Sequence, residues 1–446
     1  MNKLNMTQGS PWKHILLFSL PVFVGSLLQQ LYNTVDAMVV GKFAGESSLS
    51  AVGTTASFVF FFLAIATGFS AGNGVVVAQY YGAEQKDKVR ESAATGITFL
   101  MILGVVFTIF AIATSRPVYI HFVNVPNDYI ELTLIYFRVY ALGLVFQFGY
   151  NIFSAILRAI GDSAATLYFL LISSVINVVL DILFVAYFHM GVYGAAVATV
   201  ISQAASFVAA YFYMVKKYPI FRFKLSEYKL NKDIVNKTVQ IGFPMSLQLI
   251  VVSLGLTLIQ RVVNGFGQVM TASFTVGYRI EMYLHLPCNA FQTAMATFTG
   301  QNIGADKMYR VKKGALQAVL MSVLFTVAIS IIILINSDFI ITLFGLGEQA
   351  TIYCLSHIKA IAVVTIILSM YLPLFGVFQG ANHSILPMFV AIFALGIRVV
   401  VTYLFCYSDI FGHSIIWWNG LFGFGTGFLV TWTFYLSGIW QKNAKL

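Results

Sequence analysis

Residues 167–188 read LYFLLISSVINVVLDILFVAYF. This run is long enough to cross a bilayer, which takes roughly 20 residues at helical rise. It holds one acid, Asp181, and Ser173, Asn177 and Asp181 follow one another at i+4, so they share a helix face. An apolar span with one polar stripe describes a membrane helix that turns its stripe toward protein or trapped water.

The rest of the chain repeats the pattern. Of its 446 residues 59% are hydrophobic and 9% charged. A soluble protein of this size carries about a quarter charged residues. Further runs such as Phe99–Thr114 and Val319–Ile335 predict about twelve spanning helices, starting near Lys13, Leu49, Ser92, Ile130, Thr166, Gly191, Ile234, Val269, Gly314, Ile352, Ile385 and Ser414. Period-two alternation is missing from these runs, which excludes a β-barrel reading. The segment Ile15–Val40 is too long and too polar for a cleaved signal, so it is expected to remain as the first helix.

The net charge of +10 sorts by loop. With the N-terminus placed in the cytoplasm, nineteen lysines and arginines, Lys3 and Lys445 among them, fall in inner segments. Lys42, Arg116 and Arg261 fall in outer ones. This positive-inside bias predicts cytoplasmic termini and an even helix count in the plasma (bacterial inner) membrane, and it accounts for the basicity without nucleic acid. Seven of the inner charges lie between Lys216 and Lys237, a cytoplasmic linker that suits anionic lipid.

The linker divides two similar halves. Leu20-Pro21-Val22 returns as Phe243-Pro244-Met245, Ala51-Val52-Gly53 as Thr275-Val276-Gly277, Gln79 with Gly82-Ala83 as Gln301 with Gly304-Ala305, and ILRAIGDS (156–163) as VFQGANHS (377–384). Each pair is 221–224 residues apart. The expected fold is therefore an all-α membrane protein with twelve transmembrane helices in two parallel six-helix pseudo-repeats around a central cavity. Its lobes are residues 1–215 and 238–446, joined by a basic linker, 216–237.

No Walker loop and no HExxH motif is present, and the seven histidines are scattered. This argues against an enzyme, although a membrane-embedded one such as an acyltransferase remains the alternative from another class. The three cysteines, Cys288, Cys354 and Cys406, have no metal or disulfide spacing and read as packing residues. No cofactor is expected.

Intramembrane acids are costly and mark function. Gln29, Asn33 and Asp36 share a face on the first helix, Asn177 and Asp181 on the fifth, and Thr199, Ser202 and Ser206 on the sixth. Converging, they would make an oxygen-rich pocket with two acids that must take up a proton or hold a cation between them. In the second half the charges are Arg279, Glu281, Lys359 and Arg398. Arg279 and Glu281, two apart, cannot face each other, so their partners are expected on other helices, in a structural or gating role. Glu281 and His285, four apart, could share a face.

The chain resembles the multidrug and toxic compound extrusion (MATE) family. The likeness rests on Ser19-Leu20-Pro21, Val35-Asp36-Ala37-Met38-Val39-Val40-Gly41, Leu157-Arg158 with Gly161-Asp162, Asn177 to Asp181 and Gly194-Ala195-Ala196 before Thr199. In the second half it rests on Tyr278-Arg279-Ile280-Glu281, Pro287 and Gly300-Gln301-Asn302. The resemblance implies export of amphipathic, often cationic, compounds in exchange for Na⁺ or H⁺. It implies cation coupling at Asp36, Asn177, Asp181 and Thr199, and a substrate cavity lined by Gln29, Asn33 and Asn151. Gln260 and Lys359 stand where some members carry acids, which argues against a second Na⁺ site. The expected partners are a small-molecule substrate and membrane lipid, and the chain is expected to work as a monomer. A flippase for a lipid-linked precursor is the rival within the same superfold.

Overall fold

In the helix Met308–Ile335 the usual arrangement of a soluble protein is inverted. Ser322 and Thr326 are fully buried, while Leu320 and Leu324 are 60% and 59% exposed. Polar groups inside and leucines outside make sense when the outer solvent is lipid, where an unpartnered hydroxyl costs more than an exposed side chain of hydrocarbon.

The computed structural model describes residues 5–123 and 125–442. Lys3 and Lys445, counted above among the inner charges, lie outside them. Among the described residues there are helices and no strands. The helices are α1 (Pro11–Ala44), α2 (Glu46–Gly82), α3 (Lys86–Pro117), α4 (Ile130–Leu142), α5 (Leu144–Ala159), α6 (Ser163–Asp181) and α7 (Gly191–Lys217) in the first half. In the second half they are α8 (Lys232–Gly265), α9 (Gln268–Gly304), α10 (Met308–Ile335), α11 (Ser337–Thr342), α12 (Glu348–Ser369), α13 (Leu372–Gly380), α14 (Ile385–Phe405) and α15 (Ile415–Ser437).

Nine described helices are long and apolar enough to cross a membrane, with α12 and α13 together forming one of them; the pair α4–α5, bent by 43°, makes a tenth. The long helices α9 and α15, whose sequences carry more polar and glycine residues, complete the twelve crossings. Two expected spans are thus broken. At Gly143 a side chain would collide with Gln203 Oε1, 2.3 Å from the position of its Cβ. After α12, Pro373 stands in the first turn of α13, where its missing N–H is tolerated.

The repeat is visible in the backbone. Helices α1 and α8 both have 34 residues, and α2 and α9 both have 37. Gly45 and Gly267, each just before the second long helix, have φ of 87° and 88°. Glu84 and Asp306, just after it, have φ of 60° and 56°.

By compactness the chain divides into one unit of Val24–Ser246 and another of Met6–Phe23 with Leu247 onward. These units do not follow the lobe boundaries expected from the repeat. The cuts fall inside α1 and α8, just after Pro21 and Pro244. A proline inside a helix removes one ladder hydrogen bond and clashes with the preceding turn, so the two segments of such a helix can pack with different neighbours.

The first unit is held by an aromatic core of Phe62, Tyr119 and Phe137, against which Phe58 packs. It is also held by close backbone contact of α2 with the start of α8. A Cβ on Gly72 would lie 2.7 Å from the Gly242 nitrogen, and one on Gly242 2.7 Å from the Phe69 Cα. Small residues four apart allow this approach. The core of the second unit centres on Phe291, Phe298, Phe375, Phe378 and Trp440.

The linker belongs to the first unit. Arg90 donates to the Glu227 carboxylate and to the carbonyls of Ile220 and Arg222, and its guanidinium lies over Phe223. Thr95 donates to the Lys229 carbonyl, 3.1 Å. Bonds from Arg90 and from the Lys224 amide hold the Glu227 carboxyl down at about 2. A depressed carboxyl contributes above its ordinary range and loses that contribution only as pH falls through the folded value. Linker docking is therefore expected to be constant from pH 5 to 8. Arg90→Ala should free the linker, and trypsin cleavage at Arg222, Lys224 and Lys229 should speed up by about tenfold or more. An unchanged cleavage rate would show that the linker is held by other contacts.

Candidate functional site

In α6 the residues Asn177 and Asp181 are 1% and 0% exposed. Neither oxygen of Asp181 and neither polar atom of the Asn177 amide has a hydrogen-bond partner. A buried polar atom left without a partner costs about 1–3 kcal/mol, and more when charged. Four such atoms one helical turn apart therefore need a ligand or proton to offset them.

The second acid comes from α1, and α7 packs along α6. Asp36 on α1 lies close enough to Asp181 for the two carboxyls to act directly on each other, and Asp36 Oδ1 is itself buried without a partner. None of the ion pairs among the described residues includes either acid. On α7 the hydroxyls of Thr199, Ser202 and Ser206 donate to the carbonyls of Ala195, Thr199 and Ser202 at 2.8–3.1 Å, which leaves their lone pairs free to accept. Ser173 donates to the Ser202 carbonyl, 3.2 Å, so the stripe of α6 meets the stripe of α7. Two carboxylates in a low-dielectric setting with no basic partner cannot both remain ionised and bare.

Aromatic residues that the sequence did not single out surround the acids. Tyr32 of α1 and Tyr136 of α4 stand within electrostatic reach of both carboxyls. Tyr136 stacks on Tyr140, whose hydroxyl donates to Gln147 Oε1, 2.9 Å. Gln203 Nε2 donates to the same oxygen, 3.0 Å, through the space left by Gly143. The spacing of Tyr136, Tyr140 and Gln147 was a readable stripe, but the bend at Gly143 hides where it points.

Of the residues expected to line a cavity, Gln29 is half-buried and Asn33 is exposed, with its amide donating to Gln30 Oε1 at 3.4 Å. Asn151 is half-buried and donates to the Gln147 carbonyl, 2.9 Å.

In the second unit the charges sort unevenly. Glu281 is buried and faces Arg398 of α14, with Nη2 to Oε1 at 3.6 Å. Arg398 is on another helix, as expected for a partner of Glu281, and His285 Nε2, one turn away on α9, lies 3.7 Å from the same oxygen. Arg279 and Lys359 are exposed and join none of the ion pairs among the described residues. No group of three or more histidine, cysteine or acidic residues able to hold a metal occurs among the described residues.

The MatE family model matches residues 21–183 and 244–404, one stretch in each half and together most of the chain. The chain belongs to this family, the MATE transporters. It is 27% identical to the probable multidrug resistance protein YoeA of Bacillus subtilis over 446 residues, 98% of this chain and 96% of YoeA. To the probable multidrug resistance protein YpnP of the same organism it is 30% identical over 313 residues, 70% of this chain and 69% of YpnP. A solved MATE structure in complex with MaL6 superposes with a TM-score of 0.93 at 24% identity, covering 99% of this chain and 100% of that one. The MATE fold is thereby common to both chains.

Proposed function

We propose that this MATE protein is a secondary active antiporter that exports amphipathic, often cationic, organic compounds in exchange for H⁺ or Na⁺. The observation that carries the reading is the pair of acids Asp181, buried with both oxygens unpartnered, and Asp36, half-buried with its Oδ1 buried and unpartnered, neither of which joins an ion pair among the described residues. Asn177 beside Asp181 and the free lone pairs of Thr199 supply further oxygen ligands. Such a site takes up one monovalent cation and gives it back. Coupling then follows if cation and substrate differ in affinity for two states of the chain. The multidrug resistance relatives support the substrate class. In this proposal Gln29, Asn33 and Asn151 meet the substrate. The protein works as a monomer in the bacterial inner membrane with both termini in the cytoplasm. The repeat-based lobes 1–215 and 238–446 act as the two halves of the machine.

The test is dye transport by purified protein in proteoliposomes, with H⁺ and Na⁺ gradients imposed separately. One of the two gradients is expected to drive accumulation of a cationic dye, and its collapse to stop it. Equal transport with no gradient at all would reject antiport in favour of a flippase or facilitator.

A further inference from the structure

We propose that the second unit has a proton-binding site of its own at Glu281 and His285. There an arriving proton exchanges the carboxylate's partner from Arg398 to His285. It uses no residue of the acid pair in the first unit and does not rest on it.

Glu281 and His285 lie one turn apart on α9. Two nitrogens approach the same carboxylate oxygen, Oε1: Arg398 Nη2 at 3.6 Å and His285 Nε2 at 3.7 Å. Both distances exceed a hydrogen bond but lie in ion-pair range, so Arg398 is the charged partner while His285 is neutral and is not locked in place. His285 Nε2 is buried and has no hydrogen-bond partner. A proton added there meets a carboxylate oxygen 3.7 Å away, and a short move makes a charge-assisted bond.

What the exchange displaces is already provided for. Arg398 Nε donates to Asn419 Oδ1 at 2.8 Å, and its guanidinium lies over the Phe424 ring, 4.8 Å from the centroid. The arginine can therefore lose Glu281 without being left as a bare buried charge, the circumstance that makes breaking an ion pair expensive. Before uptake the centre holds one negative and one positive charge. After uptake it carries one net positive charge, shared between α9 and α14. Proton uptake in this way changes which helix the carboxylate is tied to, the kind of local event that biases a two-state element.

Other groups face the same centre. His357 of α12 stacks between Phe274 and Trp417, with centroids 5.3 and 4.5 Å away, and its Nδ1 is buried without a partner. Tyr278 of α9 is within reach of Glu281 and Arg398, and Tyr371, which follows α12, within reach of Arg398. α10 offers Thr326, which meets Cys288 at 3.4 Å. Among these neighbours His285 alone aims a ring nitrogen at Oε1 within 4 Å.

The test is nitrogen-15 NMR of the full chain, labelled at histidine and held in lipid nanodiscs, between pH 8 and 5. The resonance that disappears in His285→Gln is assigned to His285. It is expected to pass from neutral to doubly protonated within this range. In Glu281→Gln the passage should be lost from the window. In Glu281→Asp, which keeps the charge but withdraws it by one methylene, it should remain but move. In Asp181→Asn it should be unchanged, which separates this site from the proposed coupling pair. A His285 signal that stays neutral throughout, or one that titrates identically with and without Glu281, overturns the proposal.

Discussion

Asp181→Asn is expected to yield a folded protein that is more heat-stable than the native chain and almost unable to use an ion gradient. The two effects have one cause. In the native site the buried Asp181, both oxygens unpartnered, lies beside the half-buried Asp36, whose Oδ1 is buried and unpartnered, and no ion pair among the described residues includes either acid. Keeping a charged or charge-sharing pair in such a place opposes folding, because buried ions lose their hydration and like charges repel. An amide of the same shape removes that opposition. It also removes the group that exchanges an ion, so cation binding no longer distinguishes the two states and the gradient does no work. Gradient-driven dye accumulation in proteoliposomes should fall at least about tenfold, equivalent to losing about 1.4 kcal/mol of coupling. The thermal midpoint should hold or rise, as when a site strained for function is relaxed. Asp36→Asn should behave alike, and the double variant should be no worse than either single one, since the two carboxyls act as one unit. More than half of the native rate in Asp181→Asn would remove the pair from the mechanism. Loss of transport together with a lower midpoint would point instead to a structural role.

Much of this site was legible because its residues are local. Ser173, Asn177 and Asp181 declare one face of one helix through their spacing alone, and an acid in a run of leucine and valine stands out. That Asp36 meets Asp181 was a conjecture from sequence, since it requires α1 and α6 to bring the acids together in space. The tyrosines were illegible for a different reason. With 23 Tyr and 41 Phe in the chain, Tyr32 and Tyr136 carry no mark that separates them from packing residues. Most helix starts were readable to within four residues from hydropathy and charge, and those of α3 and α10 to within six. The breaks at Gly143 and ahead of Pro373 were not, because the apolar run continues through both. The compact units escaped the sequence as well. A linker of seven basic residues draws the eye, whereas the cuts fall beside single prolines inside α1 and α8.

The N-terminal anchor was the least visible feature, and it makes the second strong prediction. Residues 6–10 look like a polar lead-in to α1, and Arg310 looks like one more inner positive charge. In the structure the Arg310 side chain is buried, and its fork is filled. Nε donates to Asn302 Oδ1 at 2.9 Å, Nη1 to the Gly9 carbonyl at 2.8 Å, and Nη2 to the carbonyls of Met6 and Gln8, both at 3.0 Å. The Met6 amide donates to Gln301 Oε1 at 3.1 Å, and Lys307 reaches the Thr7 carbonyl at 3.0 Å. The Met6 side chain is fully buried in the core of the second unit. Arg310→Ala therefore removes a donor from four acceptors, of which the Met6 carbonyl keeps Asn302 Nδ2 at 3.2 Å, and leaves an opening where water competes for the Met6 segment. At about 1 kcal/mol or more for each, the cost should be about 3–5 kcal/mol, and the melting midpoint should fall by roughly 5–15 °C. Arg310→Lys keeps the charge but cannot reach three carbonyls and an amide at once, so it should lose about half as much. The three cysteines give a direct readout, because Cys288, Cys354 and Cys406 are all buried and react with a thiol dye only as the chain opens. If the lysine variant melts with the native chain, charge alone holds the segment. If the alanine variant does so too, burial of Met6 is sufficient and the arginine fork is dispensable.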